Sequence, residues 1–319
     1  MTALSFVRHI KPARKSWTLL LFSAILLFSP GPAAGQGPGK TGQYLYEDTK
    51  RLVTLVEDAA ALMEKKGTAA FPEFGVKGSR WLNEKYYLFV YDISGTCLFH
   101  PMNPELVGKN LLQLRDMNGK PIVRTITDIG RRPERDASDW MFYLWEEGTQ
   151  FLPRWKSAYV RKVIAPDGKI YLVGSGSYDM KIEKAFVKAR VGLAVELIKS
   201  KGKEAAFRAL KDPSTPFHFL DNYIFVMDGA GLALVDPAYP TLAGRDLTNF
   251  RDFIGRYFVR DMIRKLKTSD EAWVLYLMPK PGQSVPSRKL AYVRKVNIGN
   301  ETLIVGTDFF LATPVWMRL

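Results

Sequence analysis

Residues 89–101 read FVYDISGTCLFHP, and residues 225–237 read FVMDGAGLALVDP. Asp92, Gly95 and Pro101 of the first stretch align with Asp228, Gly231 and Pro237 of the second at a constant offset of 136 positions. The same offset carries Gly108 to Gly244, Leu111 to Leu247, Gly119 to Gly255, Val123 to Val259 and Arg124 to Arg260. A register held without gaps over so many positions is not coincidence. Farther on, a small deletion changes the offset to 133. Trp140 then meets Trp273, Tyr143 meets Tyr276, and AYVRKV at 158–163 meets an identical AYVRKV at 291–296. LVG at 172–174 matches IVG at 304–306. The chain is a tandem duplication, and one reading of the fold serves both copies.

Each copy opens on a helical segment, 44–66 in the first and 180–210 in the second. In the second, Ile182, Phe186, Ala189, Leu193 and Leu197 recur every three or four residues, which predicts one buried helix face. A strand follows (YLFVYD or YIFVMD), then a turn built on Gly95 or Gly231, then a strand ending at His100-Pro101 or Asp236-Pro237. Glycine at such a turn supplies positive φ without steric cost, so the pair reads as a hairpin. Residues 108–130, GKNLLQLRDMNGKPIVRTITDIG, carry short helices and turns, and strand-like runs lie around 140–145, 158–163 and 171–177. The class is therefore α+β, with a long helix packed on a five-stranded antiparallel sheet in each copy.

The 319 residues are 47% hydrophobic and 24% charged, enough for two globular cores. A single cysteine, Cys97, excludes an internal disulfide, an iron–sulfur cluster and a multi-cysteine zinc site, and three histidines argue against a metal enzyme. Arg8, Lys11, Arg14 and Lys15 precede an apolar run at 17–28, short of the ~20 residues a spanning helix needs. Pro30 and Pro32 break the run, and Ala33, Ala34 and Gly35 offer a small-residue cleavage site. Residues 1–35 thus read as a signal peptide, with an uncleaved N-terminal membrane anchor as the alternative, and the product is expected in the periplasm or outside the cell. The formal charge of +14 suits anionic ligands or membrane surfaces. Lysines and arginines are scattered singly, without the dense arm or aromatic-interleaved motif that nucleic acid requires.

The order of elements, and the stretches that carry it, resemble the Cache superfamily of extracytoplasmic sensory domains. The stretches are GTAAF (67–71), GKEAAF (202–207), YLFVYDISG (87–95), HPMNPELVGKNL (100–111), DMNGKPIVR (116–124), DWMFYLW (139–145), KSAYVRKV (156–163) and YLVGSGSY (171–178). The resemblance covers nearly all of 44–311. It implies two tandem PAS-like modules of the single-Cache type, at 44–178 and 180–311, whose sheet and connecting helices enclose a pocket for a small organic acid or amino acid. It implies sensing or binding rather than catalysis, and no cofactor.

A pocket for a small anion needs directed donors and an aromatic wall, because a buried carboxylate without charged hydrogen-bond partners is prohibitively costly. In the first copy His100, Arg124, Tyr143, Trp145, Lys156 and Tyr159 supply that chemistry, and Ser175 can offer backbone donors between two glycines. The resemblance places Arg124 on a helix that caps the pocket and matches Lys156 to a family lysine. Strand parity puts Tyr143 and Trp145 on one face and Trp140 on the other, and it sets Lys156 and Tyr159 on opposite faces. In the second copy Arg260, Tyr276, Lys289 and Tyr292 are retained, while Asp236 stands for His100, Met278 for Trp145 and Asp308 for Gly176. That acidic pair would pair with basic residues or favour an ammonium-bearing ligand, so the first copy is the stronger carboxylate site.

Catalysis finds little support. There is no GxSxG elbow, HExxH, Walker loop or GxGxxG after a strand, and DMNG at 116–119 resembles only the start of a calcium loop. The sequence continues only eight residues past Leu311, so any signal is expected to pass through a separate membrane receptor or sensor kinase. The alternative is an envelope scaffold whose Cache modules are empty.

Overall fold

The computed structural model describes residues 41–146, 152–280 and 283–311. The leader expected at 1–35 lies outside them. Module one runs through α1 (Glu47–Lys66), α2 (Phe71–Phe74), β1 (Leu88–Asp92), β2 (Cys97–Phe99), α3 (Ile122–Gly130), β3 (Ser138–Trp145), β4 (Arg154–Ile164) and β5 (Ile170–Ser177). Module two repeats the pattern with α4 (Lys184–Lys201), α5 (Lys203–Lys211), β6 (Phe225–Asp228), β7 (Ala233–Val235), α6 (Phe258–Leu266), β8 (Glu271–Pro279), β9 (Pro286–Ile298) and β10 (Glu301–Phe310). Both sheets are antiparallel, ordered β2-β1-β5-β4-β3 and β7-β6-β10-β9-β8. The duplication seen in the sequence is thus a duplication of topology, in two α+β, PAS-like modules.

The shared residues are those that shape the turns. Asp92 Oδ1 accepts the N–H groups of Ser94 and Thr96 at 2.9 and 2.8 Å, and Asp228 Oδ1 does the same for Ala230 and Leu232 at 2.9 and 2.8 Å. Gly95 and Gly231 complete the turns at φ 91° and 100°, where a side chain would be strained. Asp116, in the DMNG stretch, is spent in the same way. Its Oδ1 accepts from Asn118 and Lys120, and its Oδ2 accepts the Leu144 N–H on β3 at 2.9 Å. The stretch is a turn pinned to the sheet, not a calcium loop.

Alternation along the strands sorts the core of module one into two layers. Leu88, Val90, Trp140, Phe142, Tyr159, Val163 and Val173 face α1, whereas Phe89, Tyr91, Met141, Tyr143, Ala158, Val160 and Leu172 face α3. As parity predicts, Trp140 lies beneath α1, where its indole N–H donates to the Tyr44 hydroxyl at 2.9 Å.

Two expectations for the second helix need correction. Gly202, at φ 78°, breaks it into α4 and α5. Of the expected face Phe186 and Leu197 are buried, but Ala189 is exposed and Leu193 half-buried, and the stripe packed on the sheet is Val187, Val191, Ala194, Val195 and Ile198. The helix carries two overlapping apolar stripes, and the sheet takes the one rich in β-branched residues.

The modules meet through packed side chains. Phe186 of α4 lies 4.7 Å from Trp140 and 5.2 Å from Phe142, ring centre to ring centre. The buried Glu183 carboxylate accepts the N–H groups of Leu45 and Tyr46, at 2.8 and 2.9 Å, just ahead of α1. There it meets the positive end of a 20-residue helix. Lys120 reaches from module one to the carbonyls of Phe142 and His218. Leu220 and Asp221, on the approach to β6, hold left-handed φ values of 48° and 61°, and Asp221 accepts the Trp155 indole N–H at 2.7 Å.

Glycines on and off the sheet make opposite predictions. A Cβ at Gly174 would stand 2.5 Å from the Phe89 ring and 3.0 Å from the Tyr159 carbonyl, whereas at Gly192 on α4 the nearest atom is an Arg294 nitrogen at 4.0 Å. Gly174→Ala should therefore cost ~1–3 kcal/mol through overpacking, and Gly192→Ala should add ~0.5–1 kcal/mol. Urea unfolding checks both, and a shift of the midpoint in the same direction for the two variants would contradict the packing described.

Candidate functional site

The α3 face of the module-one sheet carries a cluster of polar groups where an apolar layer would be expected. Lys156 enters from β4, and its side chain is 1% exposed. Its Nζ donates to the Tyr87 hydroxyl and lies 4.3, 5.4 and 6.0 Å from the ring centres of Tyr87, Tyr178 and Phe89. Space for the lysine stem comes from β5, because a Cβ at Gly176 would fall 2.7 Å from Lys156 Cε. Tyr87 is held in place by Ser175, whose hydroxyl donates to the Tyr87 carbonyl at 2.8 Å. His100, just past β2, packs its ring 5.2 Å from Tyr87 and 6.5 Å from Phe89, and its Nδ1 accepts the Asn103 N–H at 3.0 Å. Tyr143 pairs with Lys156 across the β3–β4 ladder and carries the Trp145 ring against its own at 6.1 Å.

The electrostatics of the cluster follow from burial. Lys156 is pulled down to about 7 by desolvation, with no carboxylate among the described residues to support its charge. His100 is pushed down to about 4, first by burial and then by the nearby lysine, so it is neutral at physiological pH. Burial also drives the Tyr87 and Tyr143 hydroxyls well above the ordinary phenol range, which keeps them available as donors. Cys97, raised by burial to about 11, remains a thiol and offers no nucleophile.

Of the residues singled out in the sequence, the structure brings His100, Tyr143 and Lys156 together, with Trp145 alongside. Three others stand apart from this group. Arg124 lies on the exposed side of α3, since that helix buries Ile122, Val123, Ile126, Thr127 and Ile129 on its opposite arc. Tyr159 has the opposite parity to Lys156 and points at α1, where its hydroxyl donates to Glu57 at 2.8 Å. Ser175 sits on a strand paired on both sides, opposite Leu88 and Tyr159, so its backbone is taken up by the sheet and its hydroxyl by Tyr87. Tyr87 and Gly176 were missed. Tyr87 has the parity of Phe89 and Tyr91, which could have revealed it.

Module two places Asp236, Tyr276, Lys289 and Asp308 at the corresponding positions, with Tyr223 in the place of Tyr87. Lys289 Nζ lies 2.8 Å from Asp308 Oδ1, and the Tyr276 hydroxyl donates to Asp308 Oδ2. Asp236 accepts the Tyr239 N–H at 2.9 Å, and its carboxyl is raised by burial and by the field of Asp308. Arg260 and Tyr292 stand outside this group. Arg260 is exposed on α6 and donates to the Thr248 carbonyl at 2.8 Å, and Tyr292 faces α4 and donates to Glu271.

A model of the Cache domain matches residues 75–163 and 194–309, well over half of the sequence. The chain belongs to the Cache domain family. Cache domains of this type are extracytoplasmic sensory modules that bind ligands rather than catalysts. Among the described residues, no helix is long and apolar enough to cross a membrane. Solved structures similar to this Cache protein include a periplasmic sensor domain of a chemotaxis protein, 26% identical with a TM-score of 0.34. That match covers 40% of this chain and 92% of the other. A methyl-accepting chemotaxis protein from Vibrio parahaemolyticus is 23% identical with a TM-score of 0.34, over 40% of this chain and 88% of its own. A Cache chemosensory domain described for carboxylic acid recognition is 21% identical with a TM-score of 0.32, over 39% of this chain and 85% of its own.

Lys156 makes stability depend on pH with a defined sign. Its folded pKa, about 7, lies below its ordinary 10.5, so between these values the unfolded chain holds a proton that the folded protein lacks. Stability therefore rises with pH over this window, and the cost of the buried charge is greatest at and below pH 7. Lys156→Met should stabilise the protein by ~1–3 kcal/mol at pH 7, and the advantage should shrink by pH 9.5. Lys120, also lowered to about 7, keeps its own share of the slope in both proteins. Urea unfolding at pH 7 and 9.5 measures the difference, and a pH-independent gap would exclude this origin.

Proposed function

We propose that this protein is an extracytoplasmic sensory binding protein whose module one, at 44–178, takes a small organic acid on Lys156. The observation that carries this reading is a lysine that is almost wholly buried, hydrogen-bonded to a tyrosine, and without a carboxylate in ion-pair range among the described residues. An ammonium in that position is costly until an anion joins it. The tyrosine hydroxyls of Tyr87 and Tyr143 and the ring of Phe89 would orient and wall the acid, and neutral His100 adds no competing charge.

Access is offered from the junction. A cleft of about 730 Å³ is lined by Arg154, Trp155, Tyr178, Lys181, Asp221 and Phe310. Tyr178 belongs to both places, lining the cleft while its ring stands 5.4 Å from Lys156 Nζ. A shift of Tyr178 would connect the cleft to the lysine. Module two, at 180–311, would act as the support through which binding is passed to a membrane receptor or sensor kinase, and the basic leader at 1–35 would direct export.

Anion binding should pull a proton onto Lys156, because a carboxylate beside it restores the pKa that burial lowers. Calorimetry of an acetate, propionate and succinate panel near pH 8, in two buffers of different ionisation enthalpy, should show proton uptake on binding. Lys156→Met should weaken binding ~10-fold to 100-fold, the range for one charged hydrogen bond, and Arg124→Ala should leave it unchanged. Equal binding by the wild type and Lys156→Met would defeat the assignment. No binding by any acid, with co-purification of an envelope protein, would favour a scaffold.

A further inference from the structure

Module two carries in its own chain a carboxylate that the described residues of module one do not place beside Lys156. The two sheets have the same register. Ala158 pairs with Gly176 in module one, and Ala291 pairs with Asp308 in module two. Tyr143 pairs with Lys156, and Tyr276 with Lys289. Gly176 and Asp308 therefore stand at one position of the fold, beside a lysine and a tyrosine at matching positions. In module one the lysine stem crosses the glycine. In module two the side chain is present, and its carboxylate takes both Lys289 and the Tyr276 hydroxyl. The Lys289 and Asp308 side chains are only 13% and 11% exposed.

We propose that Asp308 is a built-in carboxylate occupying, in module two, the place that a ligand carboxylate takes in module one. Module two is thereby closed to small organic acids, and module one alone responds to them. The inference rests on reading Lys156 as the anchor for the acid. A carboxylate fixed on the adjacent strand competes as if at very high concentration, so a free acid at millimolar levels does not displace it. Asp236 adds a second negative charge on the same side and opposes entry of a further anion. The single exchange of glycine for aspartate separates a module that waits for its anion from one that already holds it.

The test is chemical rescue in the full chain. Asp308→Gly removes the built-in group and leaves Lys289 without its partner, so the variant should melt below the wild type in sodium chloride. Sodium acetate at equal ionic strength should recover roughly 2–4 °C more than it adds to the wild type. Asp308→Asn fills the space with a neutral group and should show no such excess, and Lys289→Met added to Asp308→Gly should abolish it. If Asp308→Gly does not fold in chloride, dilution from urea into acetate should restore its far-UV signal. An acetate response equal to the wild type's, an equal response from Asp308→Asn, or no refolding in either salt would overturn the proposal. So would stabilisation of the wild type by methylammonium that Asp308→Gly loses, since module two would then be a cation site. Lys156→Met separates the two readings: an unchanged wild-type response to acids in that variant removes the module-one site but not the excess seen in Asp308→Gly.

Discussion

Helices cover both faces of each sheet, so a polar side chain on a central strand must find its partner inside the protein. On the α1 face of module one the charged groups meet this rule by pairing. Arg161 lies 2.8 Å from Glu57 and 3.3 Å from Glu64, and Tyr159 completes the group. On the α3 face the Lys156 ammonium has the Tyr87 hydroxyl as its hydrogen-bond partner and, among the described residues, no carboxylate in ion-pair range. The two faces of one strand thus carry opposite electrostatic solutions, an ion-paired group toward α1 and, among the described residues, a lysine without a carboxylate partner toward α3. In module two the corresponding lysine, Lys289, is paired with Asp308, so the two modules differ at this point without any change of fold.

The duplication made the fold legible, because strand order and turns are set by residues that recur at fixed offsets. Asp92 and Asp228, or Gly95 and Gly231, need only local backbone groups to act, and local signals survive in a sequence. Parity along β3 likewise separated Trp140 from Tyr143. The site was legible only in part. The helical period of Ile122, Val123, Ile126 and Ile129 sets Arg124 on the opposite, exposed arc of α3, a pattern already present in the sequence. Tyr159 repeats the lesson on a strand, where alternation already set it against Lys156. At Gly176 the sequence showed the exchange for Asp308 but not its steric meaning, because an absent atom acquires meaning only when a neighbouring strand shows what fills the space.

Burial also changes what composition means. Lys120 and Lys156 are both lowered to about 7, so each is only partly charged at neutral pH. A formal charge of +14 counts them in full. Lys156, on which the proposed anion chemistry turns, is the least exposed of the described cations and contributes little to the long-range field.

Leu220 and Asp221 give the junction a mechanical character. Left-handed backbone at two consecutive non-glycine residues costs on the order of 1–2 kcal/mol each, least for aspartate. Here that cost is offset by packing and by the bond from Trp155. Trp155 is the strand neighbour of Lys156 and points to the other side of β4, so a displacement of the strand at one residue is felt at the other. The segment leading into β6 thus holds a costly backbone conformation through a bond from the strand that carries Lys156, which ties the geometry of the junction to that of β4.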